Sequence, residues 1–278
     1  MIFNVNLKNY ILPAFHARPI ESITAGELVA HLQSIPYAYT AAYTLDNIKR
    51  IYRHAVNMQL LATSPAELLK ASELLPAHQG DAMRHITDPS IIGKALLAIE
   101  RAHPALPATR AYMRLLPYLF TRPSELRKLE WQELDMEVGL ITIPAHRMKK
   151  RRPHIVPLPR QAKALIEEMR IFTGRTPFIF ANDDKPITEG AAYKIMKSAK
   201  VSDETSLYHL TTLHGWRHTA STLLHEQGYP SHIVEMQLAH ADKNSVRGTY
   251  NHADYLKERQ IMMQKYADYL DNLKAKAL

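Results

Sequence analysis

LHGWRHTASTLL, residues 213–224, is the stretch on which the reading of this chain turns. It opens a helix expected over about 213–227, ended by Gly228. His214 and Arg217 are three apart and so share one face of that helix. A neutral imidazole moves protons, and a guanidinium clamps phosphate oxygens through two donors. Alone, such a pair is an ordinary feature of an amphipathic surface, so its neighbours must supply the meaning.

Outward from this stretch, Ser231 starts a further helix to about 240, and a long helical region follows over roughly 244–275. In that region Met262, Tyr266, Tyr269, Leu270 and Leu273 recur at three- and four-residue steps, an apolar stripe that needs a cover. The cover is either a neighbouring subunit or the chain's own domain. Upstream, helices are expected at about 160–172 and 188–199, separated by the strand-like PFIF of 177–180. GLITIP and HIVPL are short β-branched runs around the basic turn AHRMKKRRP, which predicts a β-hairpin or small sheet. Asp88-Pro89 opens a helix to about 103; another spans about 107–120, and Pro123 of TRPSEL stands at a first helical position.

The beginning of the chain reads as a separate helical bundle. Thr24 and Glu27 have capping-box spacing for a helix to Ile35. A second helix from about Thr40 lines up Leu45, Ile48, Tyr52, Ala55 and Val56, and Ser64-Pro65 is expected to start a short third. The pattern lapses in LLPAHQGDAMRHITDP, residues 74–89. The expected organisation is therefore a helical domain over 1–80, a linker over 81–88 and a second domain over 89–278. The class is mainly α with a small antiparallel β-sheet.

Composition narrows the functions. The 278 residues are 46% hydrophobic and 22% charged, enough to bury a core unaided. With no Cys there are no disulfides, thiolate metal sites or cysteine nucleophiles. Apolar runs are too short to span a bilayer and the start lacks the regions of a signal peptide, so a cytoplasmic protein without a membrane partner is expected. Residues 1–82 carry 6 basic and 6 acidic side chains; residues 83–278 carry 29 and 21, so the whole net charge of +8 lies in the second part. Such a surface favours a polyanion, with nucleic acid first. Fifteen His raise a metal reading, and His214 with His218 has i,i+4 spacing, but no HExxH pattern surrounds them and no metal is assigned.

Four further features join the pair in the second part. FTRPSELRKLEWQELD offers Arg122 and Glu125, again three apart; the hairpin turn packs Arg147, Lys149, Lys150, Arg151 and Arg152 into six positions. QLAHADKNSVRGTYNHADY contains His240 and, ten residues on, Tyr250, whose hydroxyl type can attack a phosphodiester and hold the product. The order Arg, Lys in a basic hairpin, HxxR, His, Tyr resembles the tyrosine recombinase (phage integrase) family, particularly integrases of satellite phages and genomic islands. The likeness is strong over about 110–270 and holds only in outline over 1–80.

The resemblance implies a helical core-binding domain followed by a catalytic domain, acting on double-stranded DNA for integration or excision of a mobile element. Tyr250 would be the nucleophile, forming a 3′-phosphotyrosine. Arg122 and Arg217 would hold the non-bridging oxygens, and Lys149 would protonate the 5′-oxygen. His214 would assist proton transfer from Tyr250, His240 would bond the phosphate, and Glu125 would orient the Arg122 neighbourhood. It further implies a synaptic tetramer on DNA, helped by accessory DNA-bending or directionality proteins, with no cofactor. Integrases often carry an additional arm-binding domain, and this chain begins too late to contain one, which implies simple core sites or a shortened chain. A catalytically silent DNA-binding relic or regulator on the same helices is the alternative. Physically, the roles are coherent: guanidinium groups aimed at a phosphorane-like transition state are worth about 2.7–4 kcal/mol each, and Arg and Lys take the part a metal plays in a nuclease.

The neutral charge of residues 1–82 sits awkwardly with a DNA-clamping domain unless its cations are grouped, and Lys49, Arg50 and Arg53 are the group available. Reversing these three charges is expected to weaken DNA binding and flatten its salt dependence, measured by titration at several salt concentrations. Unchanged affinity and slope would remove them from the interface.

Overall fold

The computed structural model describes residues 2–77, 83–102, 106–148, 151–240 and 255–278, and divides the chain into two compact units, Met1–Asp81 and Ala82–Leu278. In the first unit, α1 (Ile2–Asn6) runs through a wide π-turn, Leu7–Ile11, into α2 (Leu12–Phe15); α3 (Ala25–Ser34), α4 (Ala38–Asn57) and the short α5 (Ala71–Leu74) follow. The capping box forms as read: the Thr24 hydroxyl accepts from the Glu27 N–H, and the Glu27 carboxylate accepts from the Thr24 N–H at 2.9 Å, worth about 1 kcal/mol. Leu28 and Leu32 of α3 meet Leu45, Ile48 and Tyr52 of α4 in the core, joined by Ile11 from a segment in which the sequence displayed no pattern. A buried chain of amides also ties that segment down, with Asn6 donating to Thr44 and accepting from Asn47, both at 2.9 Å.

The short helix expected at Ser64-Pro65 is a turn instead. The Ser64 hydroxyl accepts the N–H of Ala66 two residues on, closing a local turn. Ala66 is buried and Leu69 packs against the core, while Leu68 lies almost wholly in solvent.

The second unit begins with α6 (Pro89–Arg101), α7 (Pro107–Leu119) and α8 (Pro123–Arg127). The strands β1 (Leu134–Asp135), β2 (Leu140–Ile143) and β3 (His154–Pro157) form one antiparallel sheet in the order β1-β2-β3, with Leu134 opposite Ile141 and Ile143 opposite His154. Then come α9 (Arg160–Thr173), a two-stranded ribbon of β4 (Ala181–Asn182) and β5 (Lys185–Pro186), α10 (Glu189–Ser198), α11 (Leu207–Leu210), α12 (Gly215–Glu226), α13 (Ser231–Gln237) and α14 (Leu256–Lys276). The mainly α class with small antiparallel sheets is thus as read. PFIF, however, is no strand of the sheet. Phe178 makes a single bridge to Glu130, and Ile179 and Phe180 are both fully buried, whereas a strand with one wet face would alternate. Residues 84–86, inside the expected linker, are bonded to the second unit: Ile86 N–H donates to the Thr219 hydroxyl at 3.1 Å and the Arg84 carbonyl accepts from Thr211 at 3.3 Å.

The apolar stripe of α14 is covered by its own unit. Met262, Tyr266 and Leu270 are completely buried, and the Tyr266 ring meets Phe120 edge-on at 5.3 Å. Gly93 of α6 lets the two helices approach so closely that a Cβ there would lie 2.3 Å from the Leu273 carbonyl oxygen. Among the described residues, no helix is long and apolar enough to cross a membrane.

Leu270→Ala is expected to cost about 2–5 kcal/mol of stability, with a midpoint of urea unfolding that does not change with protein concentration. A concentration-dependent loss would mean that the stripe is shared between copies.

Candidate active site

The site forms where the ends of α7, α12 and α13 converge, and local sequence explains each end. The Thr212 hydroxyl accepts the Gly215 N–H at 2.8 Å, starting α12 so that His214 stands at its first boundary position. Gly215 is required sterically, since a Cβ would come within 2.3 Å of both the Arg84 carbonyl and the Thr211 hydroxyl. One turn on, Arg217 is 4% exposed, its guanidinium donating to the Phe120 carbonyl at 2.7 Å and the Leu238 carbonyl at 2.6 Å. Both carbonyls belong to irregular helix ends. Phe120 ends α7 in the left-handed region at φ 36°, and Ala239, just past α13, has φ 51°. Non-glycine residues held there cost of order 1–3 kcal/mol and mark places the surroundings over-determine.

Arg122 precedes α8, where Pro123 sets the first helical residue. Its guanidinium donates to the Glu125 carboxylate at 2.7 Å and to the Ala239 carbonyl at 3.3 Å, while the other Glu125 oxygen takes the Arg122 N–H at 3.2 Å. The Glu125 carboxylate thus accepts from both the backbone and the guanidinium of Arg122. His240 lies across the cluster: Arg217 donates to its Nε2 at 3.3 Å, so Nδ1 carries the proton given to Glu235 at 2.7 Å. Arg122 and His214 also line a cleft of about 300 Å³ with Ser124, Tyr193 and Leu213.

Electrostatically this is a positive hollow. Burial, and then the neighbouring Arg122, push Arg217 down to about 10, which leaves it fully charged near neutrality. Among the described residues no carboxylate pairs with Arg217; Glu125 and Glu235 are engaged by Arg122 and His240. Burial, then Arg217, His218, Arg122 and His240, push His214 down to about 4, so its ring is neutral and can accept a proton. Burial, reinforced by Arg259 and Arg217, pushes His154 of β3 down to about 3. An anion set between the two guanidinium groups would relieve every one of these repulsions.

The structure thus brings together Arg122, Glu125, His214, Arg217 and His240. Tyr250, Lys149 and Lys150 lie outside the described residues. Arg151 and Arg152, in the turn just before β3, are exposed. Arg147, expected with the other cations of the basic turn to contact DNA, turns its guanidinium inward to the buried Glu133 carboxylate and the Glu125 carbonyl, leaving 13% of the side chain exposed. A buried carboxylate needs a partner, and Arg147 is that partner, so it underpins the hairpin instead of facing solvent. In the first unit, Arg50 and Arg53 are exposed, and Lys49 donates to the Glu67 carbonyl at 3.2 Å. Sequence reading passed over His154, Gln237 and Arg259, all buried beside this cluster. For Arg259 a signal existed, because it falls three residues before Met262 on the apolar stripe of α14, an odd place for an arginine.

His154 and His214 make stability depend on pH in a definite direction. Below the ordinary value of 6.5 the unfolded chain takes up protons that the native state refuses until about 4 or below. Stability is complete above 6.5 and declines as pH falls toward 4. Urea unfolding at a series of pH values is expected to show a smaller acid loss in His154→Gln than in the parent, and an identical loss would exclude His154 as a cause.

Comparison with known proteins places this arrangement. The profile of the phage integrase family matches residues 93–257. The prophage integrase IntZ of Escherichia coli (strain K12) is 37% identical over 97% of this chain and 65% of its own length; the integrase of Enterobacteria phage P4 is 30% identical over 95% of this chain and 63% of its own. The chain therefore spans less than two thirds of the length of these relatives. In fold it is similar to lambda integrase(75-356), solved as a dimer bound to a COC' core site, with TM-score 0.67, 18% identity and coverage of 87% of this chain and 88% of that one. The Tn1549 transposon integrase in complex with transposon right end DNA also gives TM-score 0.67, at 16% identity over 94% and 93% of the two chains. With the profile covering more than half of its length, this chain belongs to the phage integrase family, the tyrosine recombinases of phages and prophages.

Proposed function

We propose that the protein is a site-specific DNA recombinase that cleaves and rejoins duplex DNA through a 3′-phosphotyrosine, serving integration or excision of a mobile element. The observation that carries this reading is the buried Arg217, held by two backbone carbonyls, beside Arg122, with their positive charge in excess. Burying such a charge with no paired carboxylate among the described residues costs several kcal/mol, and a phosphodiester is the anion that the charge and the family both point to. In this reading Arg122 and Arg217 hold the non-bridging oxygens, and His240, fixed by Glu235, bonds the same group. Tyr250 attacks phosphorus as its phenolic proton passes toward His214, whose basicity rises once the phosphate charge is beside it. The bond from phosphorus to the 5′-oxygen breaks, and that oxygen takes a proton from Lys149. The covalent link conserves the phosphodiester, so rejoining runs the same steps backward without a nucleotide cofactor.

The two units are read as halves of a clamp on DNA: the first as the core-binding half, contacting backbone through Lys49, Arg50 and Arg53, and the second as the catalytic half, with Lys150, Arg151 and Arg152 flanking the general acid. A lambda integrase tetramer has been solved bound to a Holliday junction, which supports a tetramer on two duplexes as the working form. Accessory bending or directionality proteins belong to the same reading.

Covalent trapping tests it. The protein and its Tyr250→Phe variant would be incubated in EDTA with nicked duplexes bearing candidate element ends. A denaturant-resistant adduct, mapped by peptide analysis to Tyr250, absent from the variant and indifferent to EDTA, is expected. Tight, salt-sensitive binding with no adduct would instead identify a silent DNA-binding relative.

A further inference from the structure

The turn after α13 is gripped by arginines from three distant parts of the chain. Arg217 of α12 donates to the Leu238 carbonyl, and Arg122, before α8, donates to the Ala239 carbonyl. The third is Arg259 of α14, 2% exposed, which places two donors on the side-chain oxygen of Gln237, Nε at 2.9 Å and Nη2 at 2.8 Å, and a further one on the Ile155 carbonyl of β3. Gln237 is itself completely buried, and among the described residues its Nε2 has no hydrogen-bond partner. The first two arginines are those assigned to the phosphate; the third bonds Gln237 and Ile155.

We infer that Arg259 and Gln237 are positioning residues for the phosphate clamp. The two carbonyls that aim Arg122 and Arg217 are consecutive, Ala239 and Leu238, and they directly follow Gln237. Their directions are set by the torsions of this turn, one of which is the left-handed φ of 51° at Ala239. That conformation is unfavourable for alanine and relaxes unless held. Hydrogen bonds back into α13 hold it on one side, with the Ala239 N–H on the Met236 carbonyl at 3.0 Å and the His240 N–H on the Glu235 carbonyl at 3.0 Å. The guanidinium fork of Arg259 on Gln237 holds it on the other, and through Ile155 it references the turn to the sheet. Losing the Gln237 acceptor would free the turn to rotate, swinging both carbonyls and, with them, both guanidinium groups. Small misplacements of positioning groups are enough to cost about 100-fold in rate.

The inference rests on the reading of Arg122 and Arg217 as the clamp, and two measurements keep the two ideas separable. One is the rate of adduct formation on nicked duplex at saturating DNA, together with the DNA concentration at half-saturation. The other is the solvent exchange of the Arg217 guanidinium Nη–H protons, which bond the Phe120 and Leu238 carbonyls, followed by NMR on the full chain without DNA. Gln237→Met, which keeps the volume and loses the acceptor, is expected to slow adduct formation by about 100-fold, leave half-saturation unchanged and speed the exchange. Gln237→Glu, which restores an acceptor to Arg259, is expected to recover most of the rate and slow the exchange again. Parent-like rate and exchange in Gln237→Met would overturn the inference. So would a rate that falls only in step with DNA affinity and thermal midpoint, with Gln237→Glu no better, because that is a merely structural role. If the parent itself forms no adduct, the recombinase reading fails, and the exchange rates alone decide for or against positioning.

Discussion

The structure of the second unit depends on burying one guanidinium, that of Arg217, which no carboxylate among the described residues pairs with. Removing a charge from water is among the most expensive things a fold does, and uncharged acceptors repay only part of it. Here the acceptors are the carbonyls of Phe120 and Leu238, and they point correctly because two helices end in left-handed residues at the same place. An external anion beside Arg217 and Arg122 would offset the remaining positive charge. Burial first, and the neighbouring guanidinium groups second, keep His214 and His154 neutral.

The rest of the unit holds those helix ends in register. The buried stripe of α14 supports the Phe120 corner through Tyr266, and Arg259, from the same helix, reaches Gln237 and β3. Arg147 and Glu133 brace the hairpin against the Glu125 backbone, and the Glu125 carboxylate in turn accepts from Arg122. Each element of the site is thus fixed by a partner far away in sequence. That is how a small cluster of cations can be kept closer together than their mutual repulsion favours.

Much of this was legible beforehand. The capping box at Thr24 and Glu27, the hairpin around the basic turn, the starts of α6 and α8 at prolines, and the Arg, His, Arg, His order all follow from local rules or from motif resemblance. The misreadings share a cause. Ser64-Pro65 looked like a helix start because capping residues also close turns, and here the Ser64 hydroxyl closes one on the N–H of Ala66. PFIF looked like a strand because a short apolar run does not say whether it pairs with a neighbour or merely fills a core.

The sequence by itself determined the elements, the class, the family resemblance and the identities of the residues that meet in the cluster, because helix spacing, turn chemistry and motif wording are properties of neighbouring residues. Only the tertiary structure decided that Arg147 faces inward, that the α14 stripe covers its own unit and that Gln237 is clasped by Arg259. Those outcomes depend on which buried polar group lies opposite which donor. Such pairings join residues 14, 22 and 104 positions apart, and no local pattern carries that information.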